Sequence, residues 1–278
     1  MDKNFTFQLY KALGFVLKRQ KEHGGFGATP KLPATLEDTY HALRIIELIQ
    51  TYCGLPKGVA LNDKKHSYFL KMFLQRNPHL SIKGIYQLVW CLNALNLKNE
   101  IHHVVRERIH DIQYTSNEEA YYILKTSRLV DNENFDFEIN EENIVKTVTF
   151  QGVLEKRWMY VYVNVFTGNA FDKKYVAHWI KKCQNYDGGF GFLPGTTSYL
   201  ENCHFAMRAL TLIEEHPYDV FGAIEFVTGC QRKSGGFSRK ADAAPFLDST
   251  YHGVSALVLL DGIQKDTITV KNHLKLSA

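Results

Sequence analysis

The phrase Gln-x-x-x-Gly-Gly-Phe occurs three times in the chain, at residues 20–26, 184–190 and 231–237. Each copy follows an amphipathic run in which apolar residues recur at helical spacing, and each precedes a second helix-like run. The second runs align position by position, and they cover residues 36–49, 200–213 and 247–260. A repeated unit of helix, glycine-rich turn and helix constrains the fold more than any other feature of this sequence.

The middle of the chain has room for further units without the glycine turn. The interval between the first two copies is about three and a half times the interval between the last two. The hydrophobic pattern predicts helix pairs at about 64–76 with 81–97, about 99–112 with 117–130, and about 140–150 with 153–167. We therefore expect six helical hairpins in a single all-α domain that spans residues 1–278.

The two helices of each hairpin differ in polarity. The second helix is apolar around most of its surface, as in the run LSIKGIYQLVWCLNALNL, and such helices are buried on all sides or line an internal cavity. The first helices carry more charge and are predicted to form an outer layer. Six outer and six inner helices can close into a double-walled α/α barrel, or they can stack as an open solenoid of hairpins.

The repeated phrase itself is expected to be a stacking device without chemistry. Its two glycines let the backbone reverse where a Cβ atom would clash. The Phe is predicted to pack between neighbouring hairpins, and the Gln to end the outer helix and bond to the backbone of the turn.

Composition and charge exclude several other classes of protein. The net charge is only +4 and the Lys and Arg residues are scattered, which argues against a nucleic-acid-binding surface. No window approaches about 18 uninterrupted apolar residues, so no transmembrane segment is expected, and the N-terminal run does not follow the signal-peptide pattern. The five cysteines lie far apart without a CxxC pair, which favours free thiols in a reducing cytoplasm.

In the clearest copies the helix after the turn starts with Asp/Glu-x-(Thr/Cys)-Tyr. Together with the turn phrase, this start resembles the repeat shared by protein prenyltransferase β subunits and class II terpene cyclases. Three sharp and three eroded copies extend this resemblance over most of the chain. It implies an α6–α6 toroid, and so favours the closed barrel, with a cavity that receives an isoprenoid chain. Candidate lining residues here are Tyr86, Trp90, Tyr121, Tyr122, Trp158, Tyr160, Tyr162 and Phe205.

The resemblance also implies a candidate zinc site. Protein prenyltransferases hold zinc with Asp-x-Cys at the start of one inner helix and with a His at the start of the next. The matching positions here are Glu201, Cys203 and His252, with Glu in place of Asp and the His one residue late. Carboxylate, thiolate and imidazole groups bind Zn²⁺ well and leave a position for a substrate thiol. Zinc would keep that thiol deprotonated for attack on a prenyl diphosphate.

The same positions have a purely structural explanation. Acidic residues at helix starts are favoured by capping and by the helix dipole. Cys203 occupies a repeat position that holds Thr in the other two sharp copies. Because all inner helices start at one rim, polar groups are nonetheless expected to cluster at one mouth of the barrel. They are Asp38, His41, Glu201, Cys203, His204, Asp248 and His252, of which Glu201, Cys203, Asp248 and Asp38 are the catalytic candidates.

A prenyl diphosphate also requires cationic partners. The families place Arg and Lys shortly before the Asp-x-Cys and a Tyr after the Cys, but here residues 192–199 contain no cation and the Tyr position is His204. The replacement candidates are Lys156 and Arg157 at the start of an inner helix, and Arg239 and Lys240 in the last glycine loop. The full set predicted to bind substrate is Lys156, Arg157, His204, Tyr251, Trp90, Tyr122 and Trp158.

Motifs that are missing from the chain help to choose between a prenyltransferase and a terpene cyclase. Neither Asp-x-Asp-Asp nor Asp-Asp-x-x-Asp occurs, which disfavours a cyclase that protonates an alkene. The leading hypothesis is a cytoplasmic transferase that moves an isoprenoid from its diphosphate to an acceptor, with a thiol favoured and zinc as cofactor. A helical-repeat α subunit and a protein or peptide acceptor are the expected partners, unless the acceptor is a small molecule. A divergent terpene cyclase and a non-catalytic isoprenoid-binding barrel stay open as alternatives.

Overall fold

The computed structural model describes residues 3–61, 64–77, 79–97, 99–101, 103–104, 115–130 and 140–264. Eleven helices are described there from end to end: α1 (Lys3–Leu17), α2 (Leu36–Cys53), α3 (Lys64–Arg76), α4 (Ile82–Ala94), α5 (Asn117–Val130), α6 (Glu141–Thr147), α7 (Leu154–Phe166), α8 (Lys173–Lys182), α9 (Leu200–Leu212), α10 (Val220–Gly229) and α11 (Leu247–Gln264). The all-α prediction is confirmed. Most of the predicted helix at 99–112 lies outside the described residues.

Six of these helices form a closed inner ring. They are α2, α4, α5, α7, α9 and α11; each packs against the next, and α11 packs against α2. The helices α1, α3, α6, α8 and α10 pack on this ring from outside. An open solenoid would leave its first and last inner helices apart. The contact between α2 and α11 therefore confirms the toroid.

The inner helices are enclosed because each has neighbours on several sides. In α11, fourteen of the eighteen residues are buried, and they include small and polar residues as well as apolar ones. A helix with that burial needs side chains that fit neighbours all round its axis, which explains the missing polar face in its sequence. None of the helices in the described part of the chain has the length and apolar character that crossing a membrane requires.

The glycine turns bring each hairpin into close contact with the next outer helix. The φ angles of Gly188 and Gly235 are +80° and +97°, in the region that L-residues with a Cβ atom rarely adopt. A Cβ atom on Gly188 would lie 2.1 Å from the backbone of Gly222 in α10. One on Gly235 would lie 2.1 Å from the carbonyl oxygen of Lys11 in α1. The last turn thus packs on the first helix and closes the outer layer.

The Gln of the phrase ties its turn to the same neighbour. Gln184 donates from Nε2 to the carbonyl oxygens of Gly188 (3.1 Å) and Asp219 (2.7 Å), and its Oε1 accepts from the Asp219 N–H. Gln231 donates likewise to the carbonyl oxygen of Gln8 in α1 at 2.9 Å. The predicted bond to the turn is therefore present, and the bond to the next outer helix is additional. The Phe residues of the phrase, all fully buried, are Phe26, Phe190 and Phe237.

Replacing Gly235 by Ala tests the closure of the outer layer. We expect the free energy of unfolding to fall by about 1–3 kcal/mol, because the new Cβ atom would meet the Lys11 carbonyl and φ would become strained. Urea denaturation followed by circular dichroism measures this change. Gly229→Ala is the matched control, since a Cβ atom there meets nothing within 4 Å. Equal stability of the two variants would contradict the proposed constraint.

Candidate functional site

The inner ring encloses a central cavity of about 160 Å³, and all six inner helices contribute to its wall. The lining side chains form layers, because residues three, four and seven positions apart lie on one face of a helix. In α2, for example, Glu37 lies at the mouth, Tyr40 and His41 follow one turn deeper, and Arg44 comes one turn below them. The cavity therefore opens at the rim where the inner helices begin.

Aromatic side chains make up most of the middle layer. Trp158 lies edge-on to Tyr121 with ring centroids 6.1 Å apart, and Tyr86 and Tyr122 are 5.4 Å apart. The wall includes four residues that the sequence analysis assigned to substrate binding, namely Tyr122, Trp158, His204 and Tyr251. Three other aromatic candidates do not line the cavity. Tyr162 is buried against Tyr121 and Trp158. Trp90 packs edge-on behind Tyr40, and Tyr160 faces the outer layer against Phe150 and Phe171.

Three histidines lie in the same layer, and their environment keeps them neutral. His41 and His204 are buried and His252 is partly buried, with the rings of His204 and His252 4.7 Å apart. Desolvation lowers the pKa of His41 to about 4, and desolvation together with the nearby His41 lowers the pKa of His252 to about 3. Neutral imidazoles at pH 7 can accept a proton or a hydrogen bond from a ligand.

Three cationic side chains are buried at the floor of the cavity, and the sequence analysis did not identify them. Arg44, Lys125 and Arg208 are 1%, 3% and 4% exposed. Each lies over an aromatic face: Arg44 is 4.7 Å from the Trp90 ring centre, and Arg208 is 4.9 Å from that of Trp158. A pattern in the sequence does mark them, since each follows a glutamate by seven positions. The pairs are Glu37 with Arg44, Glu118 with Lys125, and Glu201 with Arg208.

Arg44 has only a loose ion-pair partner. Glu47 has a carboxylate oxygen 3.7 Å from Nε of Arg44, too far for a hydrogen bond. Among the described residues, no acceptor lies within hydrogen-bonding distance of the buried Nε and Nη1 atoms of Arg44. Burial, followed by the charges of Arg208 and Arg44, lowers the pKa of Lys125 well below its ordinary value. The floor of the cavity therefore favours an anion.

The cations chosen from the sequence do not line this cavity, so their role in substrate binding stays a prediction. Lys156 forms an ion pair with Glu118 at 2.7 Å. Arg157 donates to the carbonyl oxygens of Gly152 and Phe150 and stacks 3.7 Å from the ring centre of Trp179, so it faces the outer layer. Both residues are at the start of α7, but the groups of α7 that line the cavity are Glu155, Trp158 and Met159.

Cys203 is hydrogen-bonded to the backbone of the preceding glycine turn and does not line the cavity. The backbone N–H of Phe190 bonds to its thiol, just as the N–H of Phe26 bonds to Thr39 Oγ1 at 3.0 Å and that of Phe237 to Thr250 Oγ1 at 3.0 Å. The side chain is 1% exposed, and burial raises the pKa of the thiol. This position favours the structural explanation over a role as metal ligand.

The other two members of the predicted zinc site lie together at the mouth. Glu201 and His252 line a shallow groove of about 400 Å³, and the Glu201 carboxylate forms an ion pair with Arg239. In the described part of the chain, no three His, Cys, Asp or Glu side chains are placed to hold one metal ion. Glu201, Cys203 and His252 do not fit Zn²⁺ in this arrangement, because the buried thiol does not line the groove. Zinc dependence stays a prediction, and no chemical step below uses it.

The two remaining catalytic candidates differ in position. Asp248 lines both the cavity and the groove, and its carboxylate accepts a hydrogen bond from the Ser249 N–H at 2.6 Å. Asp38 instead lies behind the rim, where its carboxylate accepts a hydrogen bond from the hydroxyl of Thr35, the N-cap of α2, at 2.7 Å. Asp248 is therefore the catalytic candidate with direct access to a ligand in the cavity.

A pair of variants separates the structural and metal-binding explanations of Cys203. Cys203→Thr should keep the free energy of unfolding close to that of the wild type, since Thr supplies an acceptor for the Phe190 N–H as Thr39 and Thr250 do. Cys203→Val has the same shape without the acceptor and should lose about 1–3 kcal/mol. Urea denaturation measures the stability and elemental analysis the metal content. Loss of a bound zinc ion in Cys203→Thr would instead establish the thiol as a ligand.

Sequence comparison agrees with the fold and with the six-helix wall of the cavity. The chain matches the family model of the prenyltransferase alpha-alpha toroid domain over residues 4–58 and 61–276. No curated protein matches it in sequence. The family match covers nearly the whole chain and includes all three glycine turns and all six inner helices. The chain therefore belongs to the prenyltransferase alpha-alpha toroid family.

Proposed function

We propose that this protein is a prenyltransferase-type enzyme that binds an isoprenoid diphosphate in the central cavity and transfers the prenyl group to an acceptor. The observation that carries the proposal is the set of buried cations, Arg44, Lys125 and Arg208, at the floor of an aromatic cavity. The family match supports an isoprenoid substrate in general. The side chains of this chain supply the more specific arguments.

The cations suit a diphosphate in both charge and donor geometry. Lys125 and Arg208 line the cavity, and Arg44 adds its charge from between Trp90 and Tyr251. Guanidinium groups form short, strong hydrogen bonds to phosphate oxygens. Cations held in a site of low dielectric also stabilise the negative charge that develops on a departing diphosphate. The floor would thereby assist cleavage of the bond between C1 and oxygen.

The aromatic layer suits the other half of the substrate. As that bond breaks, positive charge develops on the allylic carbon, and aromatic faces such as those of Tyr122 and Trp158 attract cations. The cavity of about 160 Å³ is smaller than the roughly 300–1,000 Å³ of sites for drug-sized ligands. We therefore favour a short isoprenoid, such as a dimethylallyl or geranyl group, over longer chains.

The groove at the mouth is the proposed site of the acceptor. It adjoins the cavity and shares Glu155, Phe205, Asp248 and His252 with it. The neutral imidazole of His252 and the carboxylate of Asp248 can take up the proton that an acceptor loses when it attacks C1. A thiol remains our preferred acceptor. A protein or peptide substrate presented by a helical α subunit, and a small molecule, both fit a groove that opens to solvent.

A cyclase that starts by protonating an alkene is less compatible with this cavity. The carboxylates of the wall, Glu37, Glu155 and Asp248, lie at the mouth. The buried floor carries cations, which would raise the energy of a carbocation formed from a neutral hydrocarbon. With a prenyl diphosphate, the same cations are neutralised by the leaving group. A barrel that binds the diphosphate without turnover is the remaining alternative, and the following experiment identifies it.

Replacing Arg208 by Met tests the proposed function. We expect binding of geranyl diphosphate, measured by calorimetry, to weaken by about 10- to 100-fold, as is typical for loss of a charged hydrogen bond. Arg157→Met is the matched control, because this arginine bonds to backbone carbonyls on the outer side of α7. Prenyl transfer to a dithiol is measured in parallel. Binding without transfer would identify a non-catalytic barrel, and equal binding by both variants would refute the proposed diphosphate site.

A further inference from the structure

The entrance of the cavity carries two carboxylates that have no cationic partner. The entrance consists of the four residues that line both the cavity and the groove at the mouth: Glu155, Phe205, Asp248 and His252. The other two carboxylates at the mouth are paired, Glu37 with Lys83 and Glu201 with Arg239. Among the described residues, no basic side chain forms an ion pair with Glu155 or Asp248. The entrance therefore keeps negative charge that the chain itself leaves unpaired.

The surroundings of the two carboxylates make this charge unfavourable. Burial raises the pKa of Glu155 above its ordinary value, and the nearby charge of Lys156 offsets this only in part. The histidines near Asp248 add no positive charge at pH 7, because desolvation lowers the pKa of His41 to about 4 and that of His252 to about 3. A cation bound at the entrance would therefore stabilise the ionised carboxylates.

A buried imidazole beside the entrance lacks a hydrogen-bond partner. His204 lines the cavity, is 4% exposed, and has its ring centre 4.7 Å from that of His252. In the described part of the chain, nothing bonds to its Nδ1 atom. A neutral imidazole with its proton on Nε2 accepts a hydrogen bond at Nδ1. Because a buried polar atom without a partner costs free energy, a ligand that donates a hydrogen bond here would be favoured.

The groove that leads to the entrance has an apolar side. Phe205, Ala243, Ala244 and Phe246 contribute to it, and its volume of about 400 Å³ is in the range of sites for small organic ligands. The aromatic faces can also attract a cation. The groove therefore suits a molecule with an apolar body, and the entrance suits a positively charged group that donates hydrogen bonds.

We propose that the entrance binds the primary ammonium group of a small amphipathic amine, whose apolar body lies in the groove. A primary ammonium group has three N–H donors, and Glu155, Asp248 and the neighbouring His204 supply three acceptors. The buried cations of the floor lie deeper, since the seven residues from Glu201 to Arg208 span about 10 Å of helix.

The amine also fits the acceptor site of the proposed function. An acceptor with an ammonium group would be held by Glu155 and Asp248, and His252 would be left to take up the proton of its nucleophile. Only this identification of the amine as the acceptor rests on the proposed function. Binding of the amine does not require prenyl transfer.

A comparison of three ligands of similar size tests the proposal. Calorimetry at pH 7, without any prenyl diphosphate, measures binding of 2-phenylethylamine, 2-phenylethanol and phenethyltrimethylammonium to the whole protein. We expect the primary amine to bind at least about 10-fold more tightly than the alcohol, as is typical for hydrogen bonds to charged groups. The quaternary ammonium ion, which has no N–H donor, should bind more weakly than the primary amine. An amine that binds wild-type protein no more tightly than the alcohol would overturn the proposal.

Matched variants locate the binding site. Glu155→Gln and Asp248→Asn should each weaken binding of the amine by about 10-fold and leave binding of the alcohol unchanged. Glu118→Gln is the control, because Glu118 is also at the start of an inner helix but pairs with Lys156 and lines neither space. Equal weakening in all three variants would mean attraction to the overall charge of the rim, and would refute a site at the entrance. Failure of prenyl transfer, which is measured separately, would leave these results unchanged.

Discussion

The close approach of each glycine turn to the next outer helix is the constraint on which the rest of the structure depends. At Gly188 and Gly235 the backbone of the turn comes so near its neighbour that no Cβ atom fits between them. The Gln side chain of the same phrase then bonds across the contact, from Gln231 to the backbone of Gln8 in the last case. This contact sets how the three hairpins that carry the phrase pack on their neighbours, and its last copy brings the last hairpin against the first. A central cavity exists because the ring closes.

Closure turns the helical repeat into layers around the cavity. A position that recurs in each inner helix becomes a ring of side chains at one depth, since all six helices begin at the same rim. Acidic residues such as Glu37 and Asp248 lie at the mouth, aromatic and neutral histidine side chains lie in the middle, and the buried cations lie at the floor. The result is a cavity whose charge changes sign with depth. That gradient is the physical basis for assigning an anionic group to the floor.

Two residues show how far the repeat itself explains the site. The repeat alignment places Cys203 in a position that holds Thr in the other two sharp copies. Its thiol accepts a hydrogen bond from the Phe190 N–H, just as Thr39 and Thr250 accept one from the equivalent Phe N–H in their own copies. The capping and packing interpretation was therefore available from the sequence for this residue. Arg44 is the opposite case. No role was predicted for this arginine from the sequence, because only the ring decides which side chains of an inner helix face inward.

The sequence by itself determined an all-α repeat of helical hairpins, because three copies of one turn phrase and the polarity of the helices between them admit few architectures. The closed barrel was favoured over the open solenoid only by the family resemblance. The sequence also determined which helices are inner, since side chains that are apolar all round an axis must be buried. Only the tertiary structure decided which residues share the cavity. Arg44, Lys125 and Arg208 are about eighty residues apart along the chain, by roughly equal steps. They meet at one floor because six helices of common register close into a ring. The glutamate seven positions before each cation marks a repeat position, but it does not show that the three side chains meet.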